Sequence, residues 1–268
     1  MKINNILIDT NKTNKTNVMG ILNLTEDSFY DGGSYTSLDK ALFHCEQMID
    51  DGAAIIDVGG ESTRPGYIKI SNEEEISRVV PVIEGIVKRF DIPLSVDTYK
   101  VEVAKEALKA GASMVNDIWG GRQSDEMLEL VAKSHVAYCL MHNCESSFED
   151  YKLVIDDLKS MLDKALLLGI EKENIILDPG VGFAKTKECE LDCIAHIDEF
   201  KINGLPVLLG TSNKSCINYV TGAAIDKRLP GTLATTALAV MNKIEFVRVH
   251  DVKANVDFIK MYSNLLER

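Results

Sequence analysis

Four residues, Asn23, Asp97, Asn116 and Asp178, each stand at the end of a short apolar run. Their side chains match the edge of a flat nitrogen heterocycle. A carboxylate accepts two parallel hydrogen bonds from a ring N–H and an adjacent exocyclic amino group, and an Asn presents one donor and one acceptor in a single plane. This is recognition of a base-like edge, and it needs no nucleic acid. Each residue also has a plainer use. Asp-Pro-Gly at 178–180 is turn chemistry, so Asp178 could cap the following loop, and Asp97 and Asn116 could form a polar layer supporting loops.

A second set is cationic: Arg64, Lys214, Arg248 and His250. Arg248 and His250 are two apart on a strand, so they share a face. An Arg at a strand end is ordinarily solvated and a lone His ordinarily sits in a core. Two on one face, beside other site-like groups, favour an anion site, and phosphate or diphosphate suits such forks. In GTSNKSCI (210–217), Thr211, Ser212 and Asn213 read as capping residues for a helix starting near Lys214 or Ser215, where free N–H groups would favour a carboxylate or phosphate. The segments NLTEDSFYDGGSY and GGESTRPG are Gly-rich and long for βα connections, and read as lids.

Eight apolar runs ending in polar residues must carry these groups: 18–25, 55–63, 93–98, 114–118, 137–143, 175–180, 206–212 and 246–251. As strands they would gather Asn23, Thr63, Asp97, Asn116, His142, Asp178, Ser212 and His250 at one end. Between them lie helix-periodic stretches such as SLDKALFHCEQMIDDG and EEEISRVVPVIEGIVKRF, several closed by Gly. Repeated βα units demand parallel pairing, and strands apolar throughout fit a sheet covered by helices. Eight units in 268 residues predict a (β/α)8 barrel. An open doubly wound sheet competes, but no GxGxxG opens the first unit and the polar endings occur on all eight runs, not at one switch point.

With 46% hydrophobic residues and no Pro- or Ser-rich linker, one domain spanning 1–268 is expected. Residues 1–17 lack the long apolar region of a signal peptide and are expected to close the barrel's bottom as a short strand or arm. No stretch approaches the roughly 20 apolar residues that span a bilayer, so a cytoplasmic location is expected. A net charge of −12 without a basic stripe argues against nucleic acid. The six cysteines form no CxxC pair, and Cys189 with Cys193 at helical spacing makes neither a zinc set nor a disulfide framework.

At its strand ends the sequence resembles the dihydropteroate synthase family, the folate-pathway transferases that sulfonamides target. The resemblance runs from Gly20 to Val252 through GILNLTEDSFYDGG (20–33), DVGGESTRPG (57–66), SVDT (95–98), VNDI (115–118), LMHN (140–143), ILDPGVGFAKT (176–186), GTSNKS (210–215) and RVHDV (248–252). It implies condensation of 6-hydroxymethyl-7,8-dihydropterin diphosphate with 4-aminobenzoate, with Mg²⁺ as cofactor and a homodimer as the assembly. By resemblance the pterin is held by Asp178, Asn116, Asp97 and Lys214, with Met141 and Phe183 bordering its rings. Thr63, Arg64, Arg248 and His250 grip the diphosphate, and Asn23 helps place the metal. Aminobenzoate meets Thr63, Pro65, Phe183, Lys214 and Ser215, while Phe29 and Asp31 supply lid contacts. Asp97, Lys214, Arg248 and His250 are then the catalytic groups.

The chain departs from the family pattern twice, with Glu26 where Pro is common and Asn213 where Arg is common. Losing the Pro frees a φ angle in the first lid, and losing the Arg removes a cation beside the aminobenzoate carboxylate. A catalytically weak pterin-binding paralogue and a pterin-dependent methyltransferase are the alternatives. The second needs no diphosphate grip, so STRPG, Lys214 and RVH speak against it.

Overall fold

The computed structural model describes residues 2–3, 6–7, 16–24, 35–62 and 68–268. Two short strands, β1 (Lys2–Ile3) and β2 (Ile6–Leu7), pair antiparallel. The barrel strands follow: β3 (Asn17–Asn23), β4 (Ile55–Gly59), β5 (Leu94–Asp97), β6 (Met114–Asp117), β7 (Ala137–Met141), β8 (Ile175–Asp178), β9 (Leu208–Leu209) and β10 (Phe246–Val249). Their order is β8-β7-β6-β5-β4-β3-β10-β9, parallel throughout. A parallel bridge between Leu177 and Val207 joins β8 to the approach of β9 and closes the ring. The predicted (β/α)8 barrel is the fold, and its runs and strands coincide.

Helices cover the outside: α1 (Tyr35–Asp50), α2 (Asn72–Arg89), α3 (Val101–Ala110), α4 (Asp125–Ser134), α5 (Tyr151–Leu167), α6 (Lys187–Ala195), α7 (Ser215–Thr221), α8 (Leu229–Met241) and α9 (Val252–Leu266). Local chemistry sets their ends. Ser71 caps α2 by accepting from the Glu74 N–H, three Glu fill its first turn, and Lys88 with Arg89 end it, each charge complementing the helix dipole. Gly111 ends α3 in the left-handed conformation at φ 113°. Among the described residues, no helix is long and apolar enough to cross a membrane.

Strand alternation divides the core in two. Outward residues such as Ile56, Val58, Val96, Val115, Leu140, Leu177 and Val249 pack under the helices. Inward residues Met19, Ile55, Met114, Ala137, Cys139, Ile176, Leu208 and Phe246 fill the barrel, and Ile3 joins them from β1. The paired strands β1 and β2 thus contribute Ile3 to the barrel's inner core. One step of two residues further along β4, β6, β8 and β10, the same inward face changes from apolar (Ile55, Met114, Ile176, Phe246) to polar (Asp57, Asn116, Asp178, Arg248).

Candidate functional site

That step places Asp57, Ser95, Asp97, Asn116, Asp178 and Arg248 at the carboxyl-end mouth, where (β/α)8 barrels carry their sites. Register keeps neighbours level: Asp57 lies opposite Ser95, Asp97 opposite Asn116, and Met141 opposite Asp178. Asp57, Asp97, Asn116 and Asp178 are all buried. Buried carboxylates need partners, and the Arg248 guanidinium supplies them from β10. Its Nε–H donates to Asp57 Oδ2 at 2.6 Å and its Nη2–H to Asp97 Oδ2 at 2.5 Å. Asn116 Nδ2 also donates to Asp57 Oδ2, at 2.9 Å. Asp57 Oδ1, Ser95 Oγ and Asp97 Oδ1 stay buried without a protein partner among the described residues. Acceptors left over at such depth call for a ligand rich in N–H donors.

Asp178 serves both readings made of it. Its Oδ1 accepts the Gly180 N–H at 2.7 Å, which is the turn role, while its Oδ2 lies at the mouth beside Gly210. Gly180 has φ +66°, and a Cβ there would stand 1.9 Å from the His142 carbonyl oxygen. Only glycine lets the loop pass so close.

Lys214 reaches the same mouth from beyond β9. Its Nζ donates to the Val181 carbonyl and stands 4.7 Å from the Phe183 ring centroid, a cation–π distance. Burial lowers the Lys214 ammonium to about 8 against the pull of Asp178. Burial raises the Asp97 carboxyl to about 7 despite Arg248, with Asp57 adding to the rise. Asp178 is raised by burial too, opposed first by Lys214, and the carboxylates around Arg248 keep its guanidinium charged. Groups driven towards neutrality at one mouth are a mark of a working site.

The remaining expected residues fall around this centre. Met141 is buried on the inner face of β7. Asn23 ends β3 level with Gly59, and its Oδ1 and the Asp97 side chain flank the position a Gly59 Cβ would take. His250 Nδ1 pairs with Ser212 Oγ at 2.9 Å. The Ser215 hydroxyl is exposed and accepts from Lys187 Nζ at 2.8 Å. Thr63, Arg64, Pro65, Phe29, Asp31 and Glu26 lie outside the described residues.

One expectation is corrected. Helix α7 does begin at Ser215, but Thr211, Ser212 and Asn213 do not cap it: Lys214 is the N-cap and makes no side-chain cap bond. Thr211 Oγ1 instead meets Thr235 Oγ1 at 2.6 Å, Ser212 turns to His250, and Asn213 takes a left-handed φ of 57°. Sequence reasoning also passed over Asp57 and Lys185. A carboxylate in the middle of the apolar run IIDVG was the available signal for Asp57, because alternation points it inward with Ile55. Lys185 is a buried lysine in the loop after β8, and nothing in GFAKT distinguishes it from a surface lysine.

A parallel (β/α)8 barrel with buried, unsatisfied acceptors at its mouth is built to bind a small molecule, and comparison with known proteins gives the family. The family described as pterin binding enzyme matches residues 19–250, and the chain belongs to that family. Within it the chain falls among the dihydropteroate synthases, which are transferases. It is 48% identical over 259 residues to dihydropteroate synthase from Clostridium beijerinckii, covering 95% of this chain and 96% of that one. It is 49% identical to the Bacillus subtilis enzyme over 256 residues, covering 95% and 90%. The crystal structure of Clostridium difficile dihydropteroate synthase in the presence of pteroic acid superposes with TM-score 0.90 at 44% identity, covering 96% and 98% of the two chains. Xanthomonas albilineans dihydropteroate synthase with 4-aminobenzoic acid gives 0.90 at 38% identity, covering 96% and 95%.

Proposed function

We propose that this chain condenses 6-hydroxymethyl-7,8-dihydropterin diphosphate with 4-aminobenzoate to give 7,8-dihydropteroate and diphosphate. The observation that carries this reading is the buried acceptor set at one mouth, Asp57, Asp97, Asn116 and Asp178 around one guanidinium. Asp178 takes the amino-pyrimidine edge, Asn116 assists, and Asp97 meets the inner ring side. Lys214 donates to the oxo side, and Met141 and Phe183 border the rings. Arg248, His250, Thr63 and Arg64 are assigned to the diphosphate, and Thr63, Pro65, Phe183, Lys214 and Ser215 to the aminobenzoate side.

The reaction follows from charge. The bond from the methylene carbon to the diphosphate oxygen breaks with its electrons leaving on diphosphate, where cations stabilise them. The electron-rich pterin spreads the resulting positive charge, which the Asp97 carboxylate stabilises electrostatically. The amine nitrogen attacks the carbon, and its proton passes to solvent. An aromatic amine is neutral at pH 7, so no nucleophile-and-base pair is needed. Magnesium would fit this site as an ion carried by the diphosphate, which needs few protein oxygens, and the Asn23 Oδ1 acceptor stands at the mouth beside the Asp97 side chain. Asn23 Oδ1 would hold it, and bound there it would neutralise leaving-group charge.

Two results are expected. Because Asp97 must be anionic and Lys214 cationic, kcat/KM for the pterin diphosphate rises with pH near 7 and falls near 8. Asp97→Asn removes the acid limb, and an acid limb that survives that change discards the assignment. Asn213→Arg adds a cation beside the aminobenzoate carboxylate and should lower the aminobenzoate KM by roughly threefold. The left-handed φ of 57° tolerates Asn better than Arg, so the same change should also reduce stability by about 1 kcal/mol. An unchanged KM removes that cation from the account.

The function is tested by calorimetric titration with the pterin diphosphate and then by diphosphate release on adding aminobenzoate. Release that depends on aminobenzoate is the expected result. Pterin binding without release would make the chain a binding paralogue.

A further inference from the structure

Behind the mouth, four charged or polar side chains form a row through the loops after β6, β7 and β8. Arg122 pairs with Asp157 on α5, Asp157 Oδ2 meets His142 Nε2 at 2.9 Å, and His142 Nδ1 meets Lys185 Nζ at 2.9 Å. The Lys185 ammonium also donates to the carbonyl oxygens of Gly180 at 3.1 Å and Phe183 at 3.0 Å. No carboxylate forms an ion pair with it in the described residues. A buried ammonium satisfied by main-chain oxygens holds those oxygens tightly, since each bond is charge-assisted.

Lys185 is itself anchored independently of the loop it holds. Phe148 N–H donates to the Ala184 carbonyl and Thr186 N–H to the Phe148 carbonyl, both at 2.9 Å, so the backbone on either side of Lys185 is clamped to the loop after β7. The His142 ring stands edge-on to Phe148 at 4.9 Å. Burial, with Lys185 adding to it, lowers His142 to about 3, so at neutral pH Nδ1 is free to accept while Nε2–H donates to Asp157. Segment 179–183 is thus hung on a fixed post. It delivers three things to the mouth: the Gly180 N–H on Asp178, the Val181 carbonyl on Lys214, and the Phe183 ring under the Lys214 ammonium.

We propose that Lys185 is a positioning residue for the aromatic-amine subsite: fixed on His142, it holds the Gly180 and Phe183 carbonyls and so sets where the Phe183 ring and Lys214 stand. This rests on the proposed synthase reading. Diphosphate release by the unaltered protein is therefore measured first, and its absence overturns the reading and the inference together.

Given that release, Lys185→Met should raise the aminobenzoate KM about tenfold while kcat stays within about threefold. In a Phe183→Ala background the same change should add less than about twofold to KM, because the ring it positions is gone. A merely structural lysine would lower Tm equally in both backgrounds and leave KM alone. If Lys185→Met does not fold, two His142 variants decide. His142→Asn keeps an acceptor near Nδ1 and should hold the aminobenzoate KM within about twofold, whereas His142→Leu removes it and should raise KM about fivefold. A KM within about twofold of the unaltered protein in folded Lys185→Met, full additivity with Phe183→Ala, or equal effects of the two His142 variants each overturns the proposal.

Discussion

Asp178→Ala is expected to abolish pterin binding, lowering affinity by about a thousandfold through loss of a charge-assisted acceptor in a buried site, which leaves the pterin's donors buried and unpaired. The size follows from its position. Asp178 is buried at the end of β8 and divides its oxygens between the Gly180 N–H and the mouth. Removing both also strands the Gly180 N–H, so some stability is lost with the affinity. Asp178→Asn separates the two effects. Its amide oxygen can still accept from Gly180, which should keep Tm close to that of the unaltered protein, but the negative charge offered to the pterin is gone. Calorimetric titration beside thermal unfolding checks this. Asp178→Asn binding pterin as tightly as the unaltered protein would remove Asp178 from the recognition edge.

Arg248→Ala should cost about 3 to 5 kcal/mol of stability, the usual penalty for breaking a buried ion pair from one side. It leaves Asp57 and Asp97 near each other without the cation they share. The loss should depend on pH in a definite sense. Asp97 already has a folded-state pKa above its ordinary value, and removing Arg248 raises it further. A group raised on folding stabilises the fold below its unfolded pKa, and that contribution is lost as pH rises through the folded value. The variant should therefore be weakest at alkaline pH and closest to the unaltered protein in mild acid. Asp97→Asn on top of Arg248→Ala should recover part of the loss at pH 8. For ligands, Arg248→Ala should weaken the pterin diphosphate more than the pterin alone. Thermal unfolding across pH and paired titrations check both statements, and a pH-independent loss would discard the shared-cation account.

The architecture was legible because one rule sufficed: apolar runs of strand length ending in polar residues, separated by helical periodicity. Even a short amino-terminal strand could be expected, and β1 with β2 supplies it. The rim residues were legible for the same reason, since a strand end fixes where Asp97, Asn116 and Asp178 stand. Contacts across the mouth were not. Arg248 on β10 reaches Asp57 on β4 and Asp97 on β5, strands separated from it by one and two neighbours, and such reach depends on barrel stagger that no local pattern encodes. Loop chemistry misled at 211–213, where Thr, Ser and Asn look like caps but are drawn to Thr235, His250 and a left-handed turn. Lys185 was invisible because its partners are main-chain carbonyls and a ring nitrogen, which leave no mark in composition or spacing.

If separate strand ends build one pocket for a pterin plate, diffraction from crystals soaked with the pterin diphosphate will show the ring there. The ring's amino-pyrimidine edge should lie on Asp178 and Asn116, with Asp97 at its inner side and the diphosphate towards Arg248 and His250. A pterin found instead in the outer groove lined by His44, Asp50 and Lys253, with the Asp178 and Asp97 oxygens untouched, would contradict it.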